Sequence, residues 1–217
     1  AFRAGIFALD PRRMTRAFAT HLHSDHTAGY SDLILTPPVV GREAPLEVYG
    51  TPGIVEMTNH ILAAYSQDLD IRKKRKGIDD FTGYLVNPHE YTAGPVHVDK
   101  NVKVTAFPVN HGAWEHAYGF RFKTKDRSIV ISGDTRPSTN VIEACSGCDV
   151  LVHEVYCYDG WRRGDGDWRN YHATYHTSAP ELAELANKAK PKLLVLYHKL
   201  FFGCTPEQLL NEVKSKY

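Results

Sequence analysis

The densest group of potential metal ligands in the chain is a six-residue stretch, His21-Leu-His23-Ser-Asp25-His26. Its three imidazoles and one carboxylate come directly after the apolar run of residues 17–19. Imidazole nitrogen and carboxylate oxygen are zinc ligands, and a cluster of this density can hold more than one ion. A strand followed by a sharp loop would direct all four side chains to one point. The stretch therefore predicts a metal site and not a surface loop that is rich in histidine by chance.

Four later groups of polar residues each follow or close an apolar run that is typical of a strand. In α/β proteins the ends of strands usually carry the chemistry, so each group is a candidate part of the same site. A single histidine at a strand end is more often structural than a ligand. The groups are Asn110-His111, Ser132-Gly133-Asp134-Thr135, His153-Glu154 and Tyr197-His198. Together with the first stretch they supply two complete metal shells.

The seven best ligand candidates divide into two shells that share one carboxylate. The predicted shells are His21, His23 and His111 for the first ion, Asp25, His26 and His198 for the second, and Asp134 as the bridge. Zinc is the expected metal, at two ions per chain, with manganese or iron as alternatives. Two such ions lower the pKa of a shared water toward about 7 and stabilise the entering and leaving oxygens. The predicted reaction is hydrolysis of an ester, an amide or a phosphodiester.

Length and composition are typical of one domain spanning residues 1–217. The net charge is only +1, so no overall field attracts nucleic acid or a membrane. No apolar run approaches the roughly 18 residues that a membrane helix needs. Four cysteines do not reach the density of a disulfide scaffold, and we interpret Cys145-Ser-Gly-Cys148 as a helix end that runs into a strand. A cytoplasmic location is expected, with a signal peptide upstream of Ala1 as the alternative.

Apolar periodicity and turn residues predict strands that alternate with helices, apart from hairpins in the middle of the chain. This pattern is typical of an α/β fold with a sheet core and helices packed outside it. Residues 1–9 are predicted to end a helix, and Ile54 to about Asp70 to form one. Residues 157–175 are rich in Gly, Asp, Arg and aromatic side chains, and we predict a long functional loop there.

Two basic segments are candidate contacts for a nucleic-acid backbone. Arg72-Lys-Lys-Arg-Lys76 is five basic residues in a row, for which a solvated helix end is the default interpretation and a phosphate contact the functional one. The second segment adds aromatic side chains on which bases can stack. Its residues are Trp161, Arg162, Arg163, Trp168 and Tyr171.

The ligand motifs resemble those of the metallo-β-lactamase superfamily. The resemblance rests on His21-x-His23-x-Asp25-His26, the isolated His111, Asp134 within Ser-Gly-Asp-Thr, and the final His198. It extends from about Phe18 to the last helix, and it implies an αββα sandwich with a dinuclear zinc site at one sheet edge. Members of the superfamily typically begin with strands that do not precede Ala1, so we expect the sandwich to lack those N-terminal strands.

Three further motifs are similar to those of the ribonuclease Z branch. They are Ala117-Tyr-Gly-Phe-Arg121 after His111, Val152-His-Glu154, and His176-Thr-Ser178. The resemblance implies that His176 donates a proton to the leaving oxygen and that Glu154 is its partner. This chemistry is reasonable because a departing alkoxide needs a proton and histidine titrates near neutral pH. Asp25 is expected to help orient or deprotonate the water. A helix N-cap cluster is the alternative interpretation of the segment that begins at His176.

The resemblance implies a phosphodiesterase that acts on RNA or on a smaller phosphodiester, with a homodimer as the expected assembly. The alternative is a β-lactam or lactone hydrolase, because the same activated water attacks either centre. A non-catalytic role would require decayed ligands, and all seven are present. One departure concerns the arm with which members of this branch grip tRNA. Residues 122–129 leave room only for a tight turn where the bacterial form would carry that arm.

Overall fold

The computed structural model describes residues 9–75 and 81–217. The chain divides into two compact units, residues 1–91 and residues 92–217. Apart from Leu9, the helix end predicted for residues 1–9 lies outside the described residues, and so does Lys76 of the first basic segment.

The first unit is built on a three-stranded parallel sheet in the order β1-β2-β3. Its strands are β1 (Arg16–Phe18), β2 (Leu46–Gly50) and β3 (Val86–Glu90). Its helices are α1 (Ser24–Thr27), α2 (Tyr30–Val39), α3 (Ile54–Ala64) and α4 (Ser66–Arg75), with 3-10 helices at Pro11–Arg13 and Thr82–Tyr84. Leu46 and Val48 alternate inward along β2 and pack against Ile34 of α2 and Ile54 of α3, which forms the core of the unit.

A buried arginine links separate segments of this first unit through hydrogen bonds. The Arg42 side chain is 2% exposed, and its guanidinium makes five hydrogen bonds to backbone carbonyl oxygens at 2.9–3.2 Å. The accepting carbonyls belong to Met14, Leu33, Ile34 and Gly83. A Cβ at Gly83 would collide with the carbonyl oxygen of Arg42, so this approach requires glycine. Arg42 therefore satisfies backbone carbonyls of four residues in three separate segments.

We expect the substitution Arg42→Met to lower the free energy of unfolding by about 3 kcal/mol or more, because the carbonyl oxygens would lose charged donors while the apolar part of the side chain is kept. Urea unfolding followed by circular dichroism measures the effect. Arg13→Met is the control, because Arg13 is exposed and its loss should change little. Equal stability of the Arg42 and Arg13 variants would contradict this role for Arg42.

The second unit is built on a six-stranded mixed sheet in the order β4-β5-β6-β7-β8-β9. Its strands are β4 (Gly94–Val98), β5 (Lys103–Pro108), β6 (Tyr118–Lys123), β7 (Ser128–Ile131), β8 (Val150–Tyr156) and β9 (Leu193–Leu200). The pairs from β4 to β7 are antiparallel, and β7, β8 and β9 are parallel. Strands β5, β7, β8 and β9 therefore run in the same direction, and their carboxyl ends lie at one edge of the sheet.

Five helices complete the second unit. They are α5 (Thr139–Cys145), α6 (Tyr158–Trp161), α7 (Gly166–Tyr175), α8 (Ala179–Ala189) and α9 (Pro206–Lys214). Helices α8 and α9 both begin with a capping box, made by Ser178 with Glu181 and by Thr205 with Gln208. Their apolar faces join Val130, Leu151 and other strand residues in one core. None of the helices in the described part of the chain has the length and apolar character needed to cross a membrane.

The structure differs from the sequence-based predictions in three places. The helix predicted from Ile54 to about Asp70 is broken at Tyr65 into α3 and α4. The loop predicted for residues 157–175 contains two helices, α6 and α7, and the Asp165 side chain caps α7 by accepting from the Trp168 amide.

The third difference concerns the cysteines. Helix α5 does end at Cys145 just before β8, but Cys145 is also disulfide-bonded to Cys148. Cys157 is bonded to Cys204, which leaves no free cysteine among the described residues. The second bridge ties the end of β8 to the loop that follows β9.

Candidate active site

In the first unit, the histidine stretch follows β1 directly. The Ala19 amide donates to the Tyr49 carbonyl, and the Tyr91 hydroxyl donates to the Ala19 carbonyl at 2.6 Å, which fixes the chain as it leaves the sheet. His21 is fully buried, and its Nε2 lies 3.1 Å from Nδ1 of His23. The loop after β1 thus brings one ring nitrogen of each histidine close together, with the two rings nearly perpendicular.

The other two members of the stretch lie on α1. The ring of His26 is 4.4 Å from the ring of His21 between centroids, and its Nε2 is 3.4 Å from Oδ2 of Asp25. The side chain of Asp25 is 65% exposed. The first unit therefore gathers His21, His23 and His26 closely, with Asp25 at their exposed border.

In the second unit, the predicted polar groups lie within or directly after strands that run in the same direction. His111 follows β5, Asp134 follows β7, and His153 and Glu154 lie within β8. His198 lies in β9 at a β-bulge, where the register between β8 and β9 shifts between Glu154 and Val155. Its backbone has a φ of 41°, which is uncommon for a residue other than glycine. Bulges of this kind change the direction of a side chain, here toward Asp134.

The second unit gathers its candidates within hydrogen-bond or metal-ligand range of one another. Nε2 of His198 lies 3.2 Å from Oδ2 of Asp134. One potential ligand atom each from His111, Asp134 and His176 lies within 4.8 Å of the others, and the same holds for Glu154, His176 and His198. Asp134 and His111 are each only 2% exposed. This edge of the sheet is therefore a buried cluster of nitrogen and oxygen ligands.

The tautomer of His111 follows from its hydrogen bond. Its Nδ1 lies 2.9 Å from the carbonyl oxygen of Tyr175. A carbonyl can only accept, so Nδ1 carries the proton and Nε2 keeps a lone pair. A hydrogen bond of this kind orients metal-binding histidines in many proteins. Tyr175 was not identified from the sequence, because it lies 64 positions away along the chain.

Glu154 and His176 form a buried pair. Nδ1 of His176 lies 3.1 Å from Oε1 of Glu154, which also accepts from the Thr135 amide at 2.9 Å. Burial raises the pKa of the Glu154 carboxyl well above its usual value, and the negative charge of Asp134 adds to the shift. The rings of His111 and His198 lie 5.3 and 5.6 Å from the ring of His176 between centroids. The pair thus lies directly against the ligand cluster.

His153 has a different environment from its neighbour Glu154. It is fully buried, and burial lowers the pKa of its imidazole to about 4. Its Nδ1 lies 2.7 Å from the backbone carbonyl of Glu154, so Nδ1 carries the proton. His153 is therefore a neutral residue of the strand core.

Thr135 connects the loops of this edge. Its side-chain oxygen Oγ1 lies 2.6 Å from the Arg136 carbonyl oxygen and accepts from the Asn110 amide at 3.1 Å, next to His111. Its carbonyl accepts from the Thr177 hydroxyl at 2.6 Å, next to His176. Thr135 is fully buried, and its bond with the Thr177 hydroxyl is buried as well. One residue therefore holds the loops after β5, β7 and α7 together.

The substitution Thr135→Val should lower the free energy of unfolding by about 1–3 kcal/mol, because it keeps the shape of the side chain and leaves the Asn110 amide without its acceptor. Thr135→Ser keeps the hydroxyl and should retain most of the stability. Thermal and urea unfolding of the two variants distinguish them. A Val variant as stable as the Ser variant would contradict this role for the hydroxyl.

Comparison with known proteins identifies the family. Residues 7–199 match the family model described as beta-lactamase superfamily domain. Ribonuclease Z of Mycobacterium bovis (strain BCG / Pasteur 1173P2) is 32% identical over 199 residues, which cover 90% of this chain and 71% of the relative. The fold is similar to the metallo-beta-lactamase fold protein YhfI of Bacillus subtilis, with a TM-score of 0.70, 18% identity, and coverage of 100% of this chain and 77% of that one. Human tRNase Z, short form, gives a TM-score of 0.67 at 22% identity over 92% of this chain and 77% of that one.

The chain belongs to the metallo-β-lactamase superfamily. Within it, the curated relatives place the chain in the ribonuclease Z-like branch. The predicted fold and family are confirmed, and the protein is a metal-dependent hydrolase. The seven predicted ligands are divided between the two units, so the complete ligand set stays a prediction, as do the roles of Asp25, His176 and Glu154.

Proposed function

We propose that this hydrolase is a zinc-dependent phosphodiesterase of ribonuclease Z type that acts on RNA or on a smaller phosphodiester. The observation that carries the proposal is the buried Glu154–His176 pair beside the ligand cluster of the second unit. A hydrolase whose leaving group is a sugar alkoxide needs a proton donor at this position. The relatives named ribonuclease Z support the same conclusion.

The proposed ligand set has four members in the first unit and three in the second. They are His21, His23, Asp25 and His26, together with His111, Asp134 and His198. The donor chemistry of each unit fits zinc. In the first unit, ring nitrogens of His21 and His23 lie 3.1 Å apart, and in the second, the imidazole of His198 lies beside the carboxylate of Asp134. Two divalent ions held there would supply an activated water and stabilise charge on the phosphate oxygens. We further propose that residues 1–217 act as one domain.

Several residues of the second unit and Asp25 of the first have distinct parts in the proposed reaction. The Tyr175 carbonyl holds His111 in the tautomer whose Nε2 can bind a metal. Glu154 orients the imidazole of His176 through Nδ1, so that Nε2 is the atom that can give a proton to the leaving oxygen. Because the same oxygen, Oε1, also accepts from the Thr135 amide, the carboxyl group of Glu154 is held by two partners. Asp25, which is exposed, is proposed to orient the attacking water.

A direct comparison of substrates tests this proposal. The zinc-loaded protein is assayed with a chromogenic phosphodiester and with a chromogenic β-lactam under the same conditions. We expect kcat/KM for the phosphodiester to exceed that for the β-lactam. A dominant β-lactam rate would overturn the proposal in favour of the alternative, a β-lactam or lactone hydrolase on the same site.

Two finer predictions from the sequence belong with this proposal. The first basic segment is proposed to contact the RNA backbone through Lys73 and Lys74, which are exposed, whereas Arg72 pairs with Asp68 on the same helix at 2.8 Å. The homodimer also stays a prediction.

Disulfides are typical of oxidising compartments, so the two bridges of the second unit weigh against the cytoplasmic location predicted from the sequence.

A further inference from the structure

Helix α7 carries several aromatic side chains, none of which is buried. None of its ten residues, all of which the structure describes, is buried, although they include Trp168, Tyr171, His172 and Tyr175. Its last residue is followed at once by His176. An amphipathic helix normally buries its large apolar side chains in a core, whereas exposed aromatic patches frequently mark binding surfaces.

One face of α7 is used for packing. Trp168 and His172 lie against Phe202, with ring centroids 4.5 and 4.7 Å apart, and Trp168 also covers Gly164. Trp161 donates from its indole Nε1 to the Arg169 carbonyl. Of the aromatic residues that the sequence suggested for a nucleic-acid surface, the two tryptophans therefore stabilise the segment.

The other face carries a short stack of rings that leads to the candidate active site. Tyr171 and Tyr175 are one helical turn apart and stacked, with centroids 4.6 Å apart and ring planes 27° apart. Tyr175 lies edge-on against His111, with centroids 5.1 Å apart. The outer member, Tyr171, is 52% exposed. The stack thus begins in solvent and ends at a candidate metal ligand.

The inner ring of the stack is held rigidly. The Tyr175 hydroxyl accepts from the Ala113 amide at 3.2 Å, and the Tyr175 ring occupies the space that a Cβ at Gly112 would fill. Gly112 has a φ of +58°, so glycine is favoured there for both reasons. Stacking on this inner ring restricts the Tyr171 ring before a ligand arrives, and a ring restricted in advance loses less entropy when a ligand stacks on it.

We propose that Tyr171 forms a subsite that stacks a nucleobase of the substrate beside the phosphodiester that is cleaved. This inference rests on the proposed function and names the part of the substrate that the subsite recognises. Every base has a π-face, so a single tyrosine can hold a terminal nucleotide without selecting its sequence. Arg162 pairs with Asp159 at 3.0 Å, whereas Arg163 is exposed just after α6, where its charge would favour an anionic ligand over a neutral one.

The test compares phosphodiesters with and without a base. Thymidine esterified through its 5′ or 3′ phosphate to p-nitrophenol supplies the base, and ethyl p-nitrophenyl phosphate lacks it. In the Tyr171→Leu protein we expect KM for at least one thymidine ester to rise about tenfold with kcat nearly unchanged, since stacking contributes binding and not chemistry. Both constants for the ethyl ester should match those of the unmodified protein.

Two further variants complete the design. Tyr171→Phe keeps the ring and should restore KM, whereas Tyr217→Leu removes an exposed tyrosine whose hydroxyl donates to the Pro191 carbonyl, before the start of β9, and should have no effect. Unchanged KM for both thymidine esters in Tyr171→Leu would overturn the subsite and leave the phosphodiesterase standing. If the unmodified zinc-loaded protein hydrolyses neither the thymidine esters nor the ethyl ester, the proposed function is overturned, and the subsite with it.

Discussion

The Asp134→Ala protein is expected to lose most of its bound metal and, with it, hydrolysis of a phosphodiester by roughly a thousandfold or more, because the metal ions are proposed to activate the water. Asp134 is 2% exposed, and its Oδ2 lies 3.2 Å from Nε2 of His198. Its carboxylate is the proposed bridging ligand. Metal content measured on the purified protein and kcat/KM measured on the same sample should fall together.

The matched control for this experiment is Asp126→Ala. Asp126 lies in the turn between β6 and β7, and its side chain is 74% exposed. It should retain full metal content and activity. An Asp134→Ala protein that is as active as this control would contradict the bridging role, whatever its metal content.

The second large effect is expected from His176→Gln, and it should depend on the leaving group. A general acid contributes roughly a hundred- to ten-thousandfold when the leaving oxygen is strongly basic. An RNA or dinucleotide leaves as such an alkoxide, whereas p-nitrophenolate is a weak base that needs no proton. We therefore expect kcat for the RNA substrate to fall by about that factor and kcat for the p-nitrophenyl ester to fall far less.

Two comparisons make the result for His176 decisive. Glu154→Gln removes the carboxylate that accepts from Nδ1 and should give the same dependence on the leaving group with a smaller loss. His60→Gln replaces an exposed histidine of α3 and should change neither rate. Equal losses for both substrates in His176→Gln would indicate a structural role or metal binding in place of proton donation.

The clustering of three candidate ligands in the second unit could be expected from the sequence, because each follows or closes an apolar run that predicts a strand. Each of His111, Asp134 and His198 is at or near the carboxyl end of an apolar run, and β5, β7 and β9 run in the same direction, so these side chains meet at one edge. The partners of these residues could not be predicted. The Tyr175 carbonyl accepts from His111, and the Thr135 hydroxyl oxygen accepts from the Asn110 amide; both bonds join distant parts of the chain, and such bonds leave no local pattern.

The segment at residues 157–175 shows where composition misleads. Gly, Asp and Arg suggested a loop, but Asp165 three residues before Trp168 is an N-cap signal that was present in the sequence. The single helix predicted from Ile54 to about Asp70 was wrong because periodicity, and not composition, was misleading there. Its apolar periodicity continues past Tyr65, yet the chain turns there and α4 follows as a strongly polar helix.

Zinc titration of the metal-free protein tests the central claim most directly. The protein is freed of metal by chelation, and hydrolysis of bis(p-nitrophenyl) phosphate is followed as zinc is added in known equivalents. The proposed dinuclear site predicts no activity without metal and a plateau at two equivalents per chain. Full activity in the chelated protein, or a plateau at one equivalent, would contradict it.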